Sequence, residues 1–155
     1  MKGTDMTNRM DQMIDEFEVR RVVEGYMHAV DSNDYGGIAA CFMEDAALTY
    51  AMDPFKFIGG KAVADWMRSF DEIPTTHTVS NCRIVVDGDT ASSDMFATAV
   101  IVIGESGPGS IQTVGVRYTD DLQRTAAGWK ISKRTHAIIW QINNEAVPVG
   151  LDVES

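Results

Sequence analysis

Long apolar runs and clustered positive charge are both missing from this sequence. The longest strongly apolar stretch, Ala97 to Ile103, is seven residues and contains Thr98, far short of the roughly 20 that cross a bilayer as a helix. Basic residues are scarce: 13 Lys and Arg stand against 23 Asp and Glu, for a net charge of -10. Binding phosphates requires clustered cations, so neither nucleic acid nor an anionic membrane is expected as a partner. The two cysteines, Cys41 and Cys82, lack CxxC or Cys/His spacing. That argues against a zinc site and a disulfide framework, and both are read as core thiols. The opening MKGTDMTNRMDQM has no apolar segment before its acidic residues, so no signal peptide is expected and a cytoplasmic location follows by default. The glycine-rich segment from Gly104 to Gly109 has no helix after it, unlike a phosphate loop. No cofactor and no metal are expected.

What is present suits one domain. The chain has 155 residues, 45% of them apolar, enough for a single real core. From Ile14, the positions Val19, Val22, Val23, Tyr26 and Val30 recur at helical spacing, which predicts a helix over about residues 8 to 31. Ser32-Asn33-Asp34 breaks it, and Ile38, Ala39, Cys41 and Phe42 give a short second helix, together a helical hairpin. Ala46 to Ala51 is a strand candidate ended by Pro54, and Phe55 to Ile58 alternates before Gly59-Gly60. A third helix is expected from about Lys61 to Phe70. Beyond Pro74 come four β-rich runs, Thr76 to Val86, Thr90 to Ile103, Ile111 to Thr125 and Trp129 to Ile142, joined by short turns. This predicts an α+β domain over 8–142, three N-terminal helices packed on a strongly curved, mostly antiparallel sheet. The segment 143–155 is a weakly patterned tail that is either disordered or laid over a neighbouring subunit.

The candidates for chemistry are few. Of the three histidines, His28 lies off the helical stripe and suits a solvated surface. His77 opens the first long strand and is either a satisfied structural histidine or a functional one. Tyr26 lies on the stripe, so its hydroxyl points inward and needs a partner. Asp31 closes the same helix, its charge poorly placed at the negative end of the helix dipole. It either begins the turn with Ser32 and Asn33 or orients a histidine as general base.

Several segments carry a resemblance. They are Tyr26-x4-Asp31 with Asn33-Asp34, FMEDA at Phe42 to Ala46, FIGGKAV at Phe57 to Val63, and THTVSN at Thr76 to Asn81. VDGDTA at Val86 to Ala91, YTDDLQRTAAGWKISKR at Tyr118 to Arg134, and Trp140 continue it. The chain resembles the SnoaL-like family of the nuclear-transport-factor-2-like, or cystatin-like, superfamily. Its nearest catalytic members are a bile-acid dehydratase and hexachlorocyclohexane dehydrochlorinase, with scytalone dehydratase and ketosteroid isomerase more distant. The resemblance implies a cystatin-like cone with a pocket between helices and sheet. It also implies an Asp–His pair acting on a substrate carbon, matched by Asp31 and His77, with Tyr26 five positions before the Asp and Arg134 after GWK. His77 would then abstract a proton while Asp31 holds its tautomer. Tyr26 would donate to a carbonyl or leaving group, and Arg134 would stabilise negative charge.

Strict alternation puts Trp129, Ile131 and Lys133 on one face and Arg134, His136, Ile138 and Trp140 on the other. Burial of both Trp129 and Arg134 therefore requires a β-bulge between them; without one Arg134 belongs to a subunit interface. The strand candidate 46–51 carries no carboxylate, which disfavours isomerisation by paired carboxylates. Trp66, Met67, Phe70, Val79, Met95, Tyr118 and Trp140 are the expected pocket lining, suited to a small hydrophobic cyclic molecule. Ile84, Val86, Val100 and Val102 are expected on an exposed outer face, which a homo-oligomer, dimer or trimer, would cover. The expected function is a cofactor-independent, dehydratase-type lyase. The alternatives are a non-catalytic small-molecule-binding or interaction domain and a polyketide cyclase or isomerase on the same scaffold.

Overall fold

The computed structural model describes residues 2–50, 55–70, 73–103 and 110–145. The first helix, α1 (Lys2–Asp31), buries Val19, Val23, Tyr26 and Met27, the three-and-four spacing that faces a helix to a core. It starts earlier than the stripe predicts, and its first half leaves Met10, Met13, Ile14 and Phe17 exposed. Ile14 thus lies outside the packed stripe. The helix α2 (Tyr35–Ala40) follows at once, capped by the Asp34 carboxylate, which accepts from Gly37 N at 2.9 Å and satisfies one of the free first-turn amides.

Strands β1 (Phe42–Tyr50) and β2 (Phe55–Ile58) then form a hairpin, and α3 (Gly60–Arg68) packs beside α2. Gly59 joins β2 to α3 at φ 77°, and a Cβ there would lie 2.3 Å from the Glu44 carbonyl oxygen. Only glycine tolerates both conditions. The chain closes with the long strands β3 (Thr75–Asp87), β4 (Thr90–Ile103), β5 (Ser110–Thr125) and β6 (Gly128–Glu145). Residues 146–155, most of the expected tail, fall outside the described residues, as does Ala51; residues 143–145 belong to β6.

The sheet order is β2-β1-β6-β5-β4-β3. All neighbours are antiparallel except β1 and β6, which run parallel. The fold is α+β, helices on a mostly antiparallel six-stranded sheet. Its inner face meets α1 over a core of Val23, Tyr26, Leu48, Met95, Val116 and Ile131. β1 starts at Phe42 rather than Ala46, so it includes Glu44 and Asp45, both exposed.

Irregularities in the strands decide which side chains face inward. One separates Ser80 from Arg83 in β3, where Asn81 takes φ 49°. An extra residue reverses the facing of the side chains beyond it. Ile84 and Val86 therefore pack partly against the core instead of on the expected outer face, and Val85 is exposed. A second bulge, at Ser132, lies between Asp121↔Lys133 and Leu122↔Ile131. Trp129 and Ile131 are buried on one side of it, Arg134 and His136 on the other. This is the bulge that inward placement of Arg134 requires.

Candidate functional site

Asp31 is the last residue of α1, at the negative end of the helix dipole, where a carboxylate needs donors from elsewhere. The start of β3 supplies them. Thr75 Oγ1 donates to Asp31 Oδ1 at 2.9 Å, the His77 backbone N–H donates to Oδ2 at 2.8 Å, and His77 Nδ1 lies 2.6 Å from Oδ1. An ionised carboxylate can only accept, so Nδ1 carries a proton, and in the neutral ring Nε2 is the nitrogen with the free lone pair. The side chains of His77 and Asp31 are 9% and 23% exposed. The pair is thus sheltered without being sealed.

His77 lines a cavity of about 300 Å³, within the range of small-molecule sites. Trp66 and Met67 of α3, Phe70 two residues beyond its end, Ile38 and Ile101 are among its apolar lining. Polar groups on the lining are Asn33, Tyr35, Thr75, His77 and Gln112. Among the described lining residues there is no Lys, Arg, Asp or Glu. Of the seven residues expected in the lining, Trp66, Met67 and Phe70 are there. Val79 packs partly buried against the core, and Met95 and Tyr118 are buried within it. Trp140 is 45% exposed, and its indole occupies the space a Cβ on Gly115 would need.

Behind the cavity lies a polar cluster inside the core. The Tyr26 hydroxyl meets that of Tyr50, on β1, at 2.8 Å. Arg134 is fully buried and forms a two-pronged ion pair with the equally buried Asp120 of β5, Nε and Nη2 each 2.7 Å from a carboxylate oxygen. Its guanidinium stacks over the rings of Tyr26 and Tyr118, at 4.1 and 4.8 Å, a favourable placement for a cation on aromatic faces. Burial pushes the Tyr26, Tyr50 and Tyr118 phenols above their ordinary values, so all three hydroxyls stay protonated. His136 is 7% exposed, and burial, with the Arg134 charge nearby, lowers its pKa to about 4. His28, by contrast, is exposed.

The four residues singled out by the resemblance form two couples. Asp31 binds His77, and Tyr26 stacks on Arg134. The couples are linked electrostatically through Tyr118, on which both the Asp31 carboxylate and the Arg134 guanidinium act. Two members of the interior cluster, Asp120 and Tyr50, are not among the expected site residues, and a third, His136, is expected only as sharing the Arg134 face. Asp120 follows Val116 and Tyr118 on alternate positions of β5, a pattern that already marks it as inward. Tyr50 shares the inward face of Ala46 and Leu48, and His136 shares that of Arg134.

Comparison with known proteins agrees with this architecture. The sequence is 27% identical to the uncharacterized protein Rv2910c of Mycobacterium tuberculosis over 140 residues, covering 84% of this chain and 89% of that one. Its fold is similar to that of hexachlorocyclohexane dehydrochlorinase (LinA) type 2, with a TM-score of 0.81 at 16% identity over 94% of this chain and 99% of the other. It is also similar to a nuclear-transport-factor-2-like protein with a cystatin-like fold from Novosphingobium aromaticivorans. That match has a TM-score of 0.72 at 22% identity, covering 88% and 90% of the two chains. The profile of the SnoaL-like domain matches residues 11–135, and the chain belongs to the SnoaL-like family.

Proposed function

We propose that this protein is a cofactor-independent lyase that eliminates water or another β-leaving group from a small, neutral, hydrophobic cyclic substrate. The observation that carries the reading is the 2.6 Å contact between His77 Nδ1 and Asp31 Oδ1, with His77 on the wall of an apolar cavity. In this reading His77 Nε2 takes a proton from a substrate carbon, and the C–H electron pair becomes the new C=C bond. The leaving group departs with its own bonding pair. Asp31 stabilises the imidazolium, which returns its proton to a departing hydroxide to complete water.

The tyrosine pair supplies the opposing charge stabilisation. Two hydroxyls sharing one hydrogen bond leave one O–H free to donate to a carbonyl or departing oxygen. Arg134, held against the Tyr26 ring, makes these phenols better donors toward developing negative charge. Arg134 is thus a positioning residue that acts through tyrosine. A neutral substrate is favoured because the described lining carries no cation and the net charge is -10. The similarity in fold to a dehydrochlorinase is consistent with elimination chemistry.

A second reading, a binding domain without turnover, is favoured by one observation: Tyr26 and Arg134 do not line the cavity that His77 lines. The two separate on turnover of cyclic alcohols, halides and β-hydroxy ketones by purified protein, followed as alkene or enone absorbance. The lyase reading expects product with wild type and none with His77→Ala, both remaining folded by circular dichroism. Saturable binding of these compounds with no product, or product undiminished in His77→Ala, would favour the second reading.

A further inference from the structure

The elimination step makes no use of His136, although this histidine is buried in the same interior. It lies on β6 two positions beyond Arg134, on the face that the bulge at Ser132 turns inward. Its ring centroid is 5.3 Å from that of Tyr50 on β1 and 4.9 Å from that of Tyr118 on β5. Tyr50 in turn contacts Trp66 of the cavity wall, their ring centroids 5.9 Å apart. His136 is not itself on the described cavity lining; it stands one ring behind it, joined through Tyr50 to the Trp66 wall and near enough to His77 to feel its ring.

Two buried nitrogens here have no hydrogen-bond partner among the described residues, Nη1 of Arg134 and Nδ1 of His136. Native interiors seldom leave such atoms unpaired. Around them, Asp120 is engaged by Arg134 Nε and Nη2, Asp31 by His77 and Thr75, and the Tyr26 and Tyr50 hydroxyls by each other, the Tyr50 oxygen also lying within the influence of the Arg134 guanidinium. A guanidinium nitrogen only donates, whereas an imidazole nitrogen without its proton only accepts. The two orphans sit on one face of one strand and are complementary in kind.

We propose that Arg134 fixes the tautomer of His136, with Nδ1 accepting from Arg134 directly or through one water, so that Nε2–H is a neutral hydrogen-bond donor to a carbonyl or hydroxyl oxygen of the bound molecule. This rests on the cavity being the substrate site. The interior then holds two imidazoles in opposite tautomers. Asp31 keeps the proton of His77 on Nδ1 and leaves Nε2 to accept; Arg134 keeps the proton of His136 on Nε2 and leaves it to donate. A pair of groups pushed apart by their surroundings divides acceptance and donation between them. Burial and the charge of Arg134 hold His136 uncharged; Asp120 and Asp31, the anions nearby, are each committed to a cation or an imidazole.

Two-bond proton–nitrogen NMR spectra of the imidazoles in full-length, nitrogen-15-labelled protein test this between pH 5 and 8. Assignments come from His28→Asn and His77→Gln. The expected result is a neutral His136 with its proton on Nε2 throughout, and a shift of that proton when 2-decalone is added but none with decalin. A proton on Nδ1, a titration within that range, or an Nε2 proton indifferent to 2-decalone would overturn the proposal. No turnover is needed for this readout. A protein that shows the Nε2–H signature and the 2-decalone shift yet eliminates nothing would refute the lyase reading and leave this inference standing. As a second measurement, His136→Gln, which retains a donor, is expected to bind 2-decalone within about threefold of wild type, and His136→Leu to lose at least tenfold. Equal binding by both would overturn the donor role.

Discussion

Asp31 grips His77 twice, through the backbone N–H at 2.8 Å and through Nδ1 at 2.6 Å, so one carboxylate fixes both the strand and the ring. Asp31→Asn should break the second function more than the first. An amide can donate to Nδ1 and so favour the tautomer in which Nε2 holds the proton and is no longer a base. Turnover is expected to fall about 10²- to 10⁴-fold, the usual worth of a positioned general base. Loss of hydrogen bonds to a charged group should cost roughly 1.5–3 kcal/mol in urea unfolding. Full activity in a folded Asp31→Asn protein would remove Asp31 from the mechanism.

The Asp120–Arg134 pair should behave as a buried ion pair does. Asp120→Ala leaves a guanidinium uncompensated at 0% exposure, and the expected loss is about 3–5 kcal/mol. The double variant Asp120→Leu, Arg134→Met removes both charges and should be clearly more stable than Asp120→Ala. A denaturant midpoint for Asp120→Ala equal to wild type would contradict this.

Acid sensitivity should map onto His136. Its pKa is about 4 in the folded protein against an ordinary 6.5, so between those values the unfolded chain binds more protons than the native one. Stability therefore rises with pH across that window and is lost as pH falls from about 6.5 to 4, by roughly 3 kcal/mol from this group alone. Unfolding free energies of wild type and His136→Gln, measured from pH 7 to 4, should show the smaller acid loss in the variant. Parallel curves would be the contrary outcome.

Two glycines should respond unequally to alanine. At Gly59 a Cβ meets the Glu44 backbone and φ is 77°, so Gly59→Ala is expected to cost about 1–3 kcal/mol. At Gly115 the Cβ meets the half-exposed Trp140 indole, a side chain that can move aside. Gly115→Ala should change tryptophan fluorescence while costing less than Gly59→Ala, as thermal unfolding would register.

Much of the site was legible because its residues sit where local rules speak. The helical stripe turns Tyr26 inward, the helix end makes Asp31 require donors, and the burial conflict between Trp129 and Arg134 leaves either a bulge between them or an interface role for Arg134, of which the bulge is found, at Ser132. Register was harder to read. Nothing local announces the irregularity at Asn81, so simple alternation puts Ile84 and Val86 on the outer face, and the parallel pairing of β1 with β6 is a long-range contact with no signature in either strand. Asp120 is concealed in the sequence for a different reason. An acidic residue in a YTDD run reads as solvated until its buried partner, Arg134, is known. The cavity lining was divided in the same way: Trp66, Met67 and Phe70 follow from helix geometry, whereas Val79, Met95, Tyr118 and Trp140 depended on the curvature and register of the sheet.

The central claim is that His77 takes a proton from carbon. It is tested most directly by following hydrogen–deuterium exchange at the α-carbon of 2-decalone in heavy water, using wild type and His77→Gln under identical conditions. The account predicts enzyme-dependent exchange with wild type, abolished in a folded His77→Gln protein. Exchange that persists undiminished without His77, or wild type that binds the ketone and exchanges nothing, would contradict it.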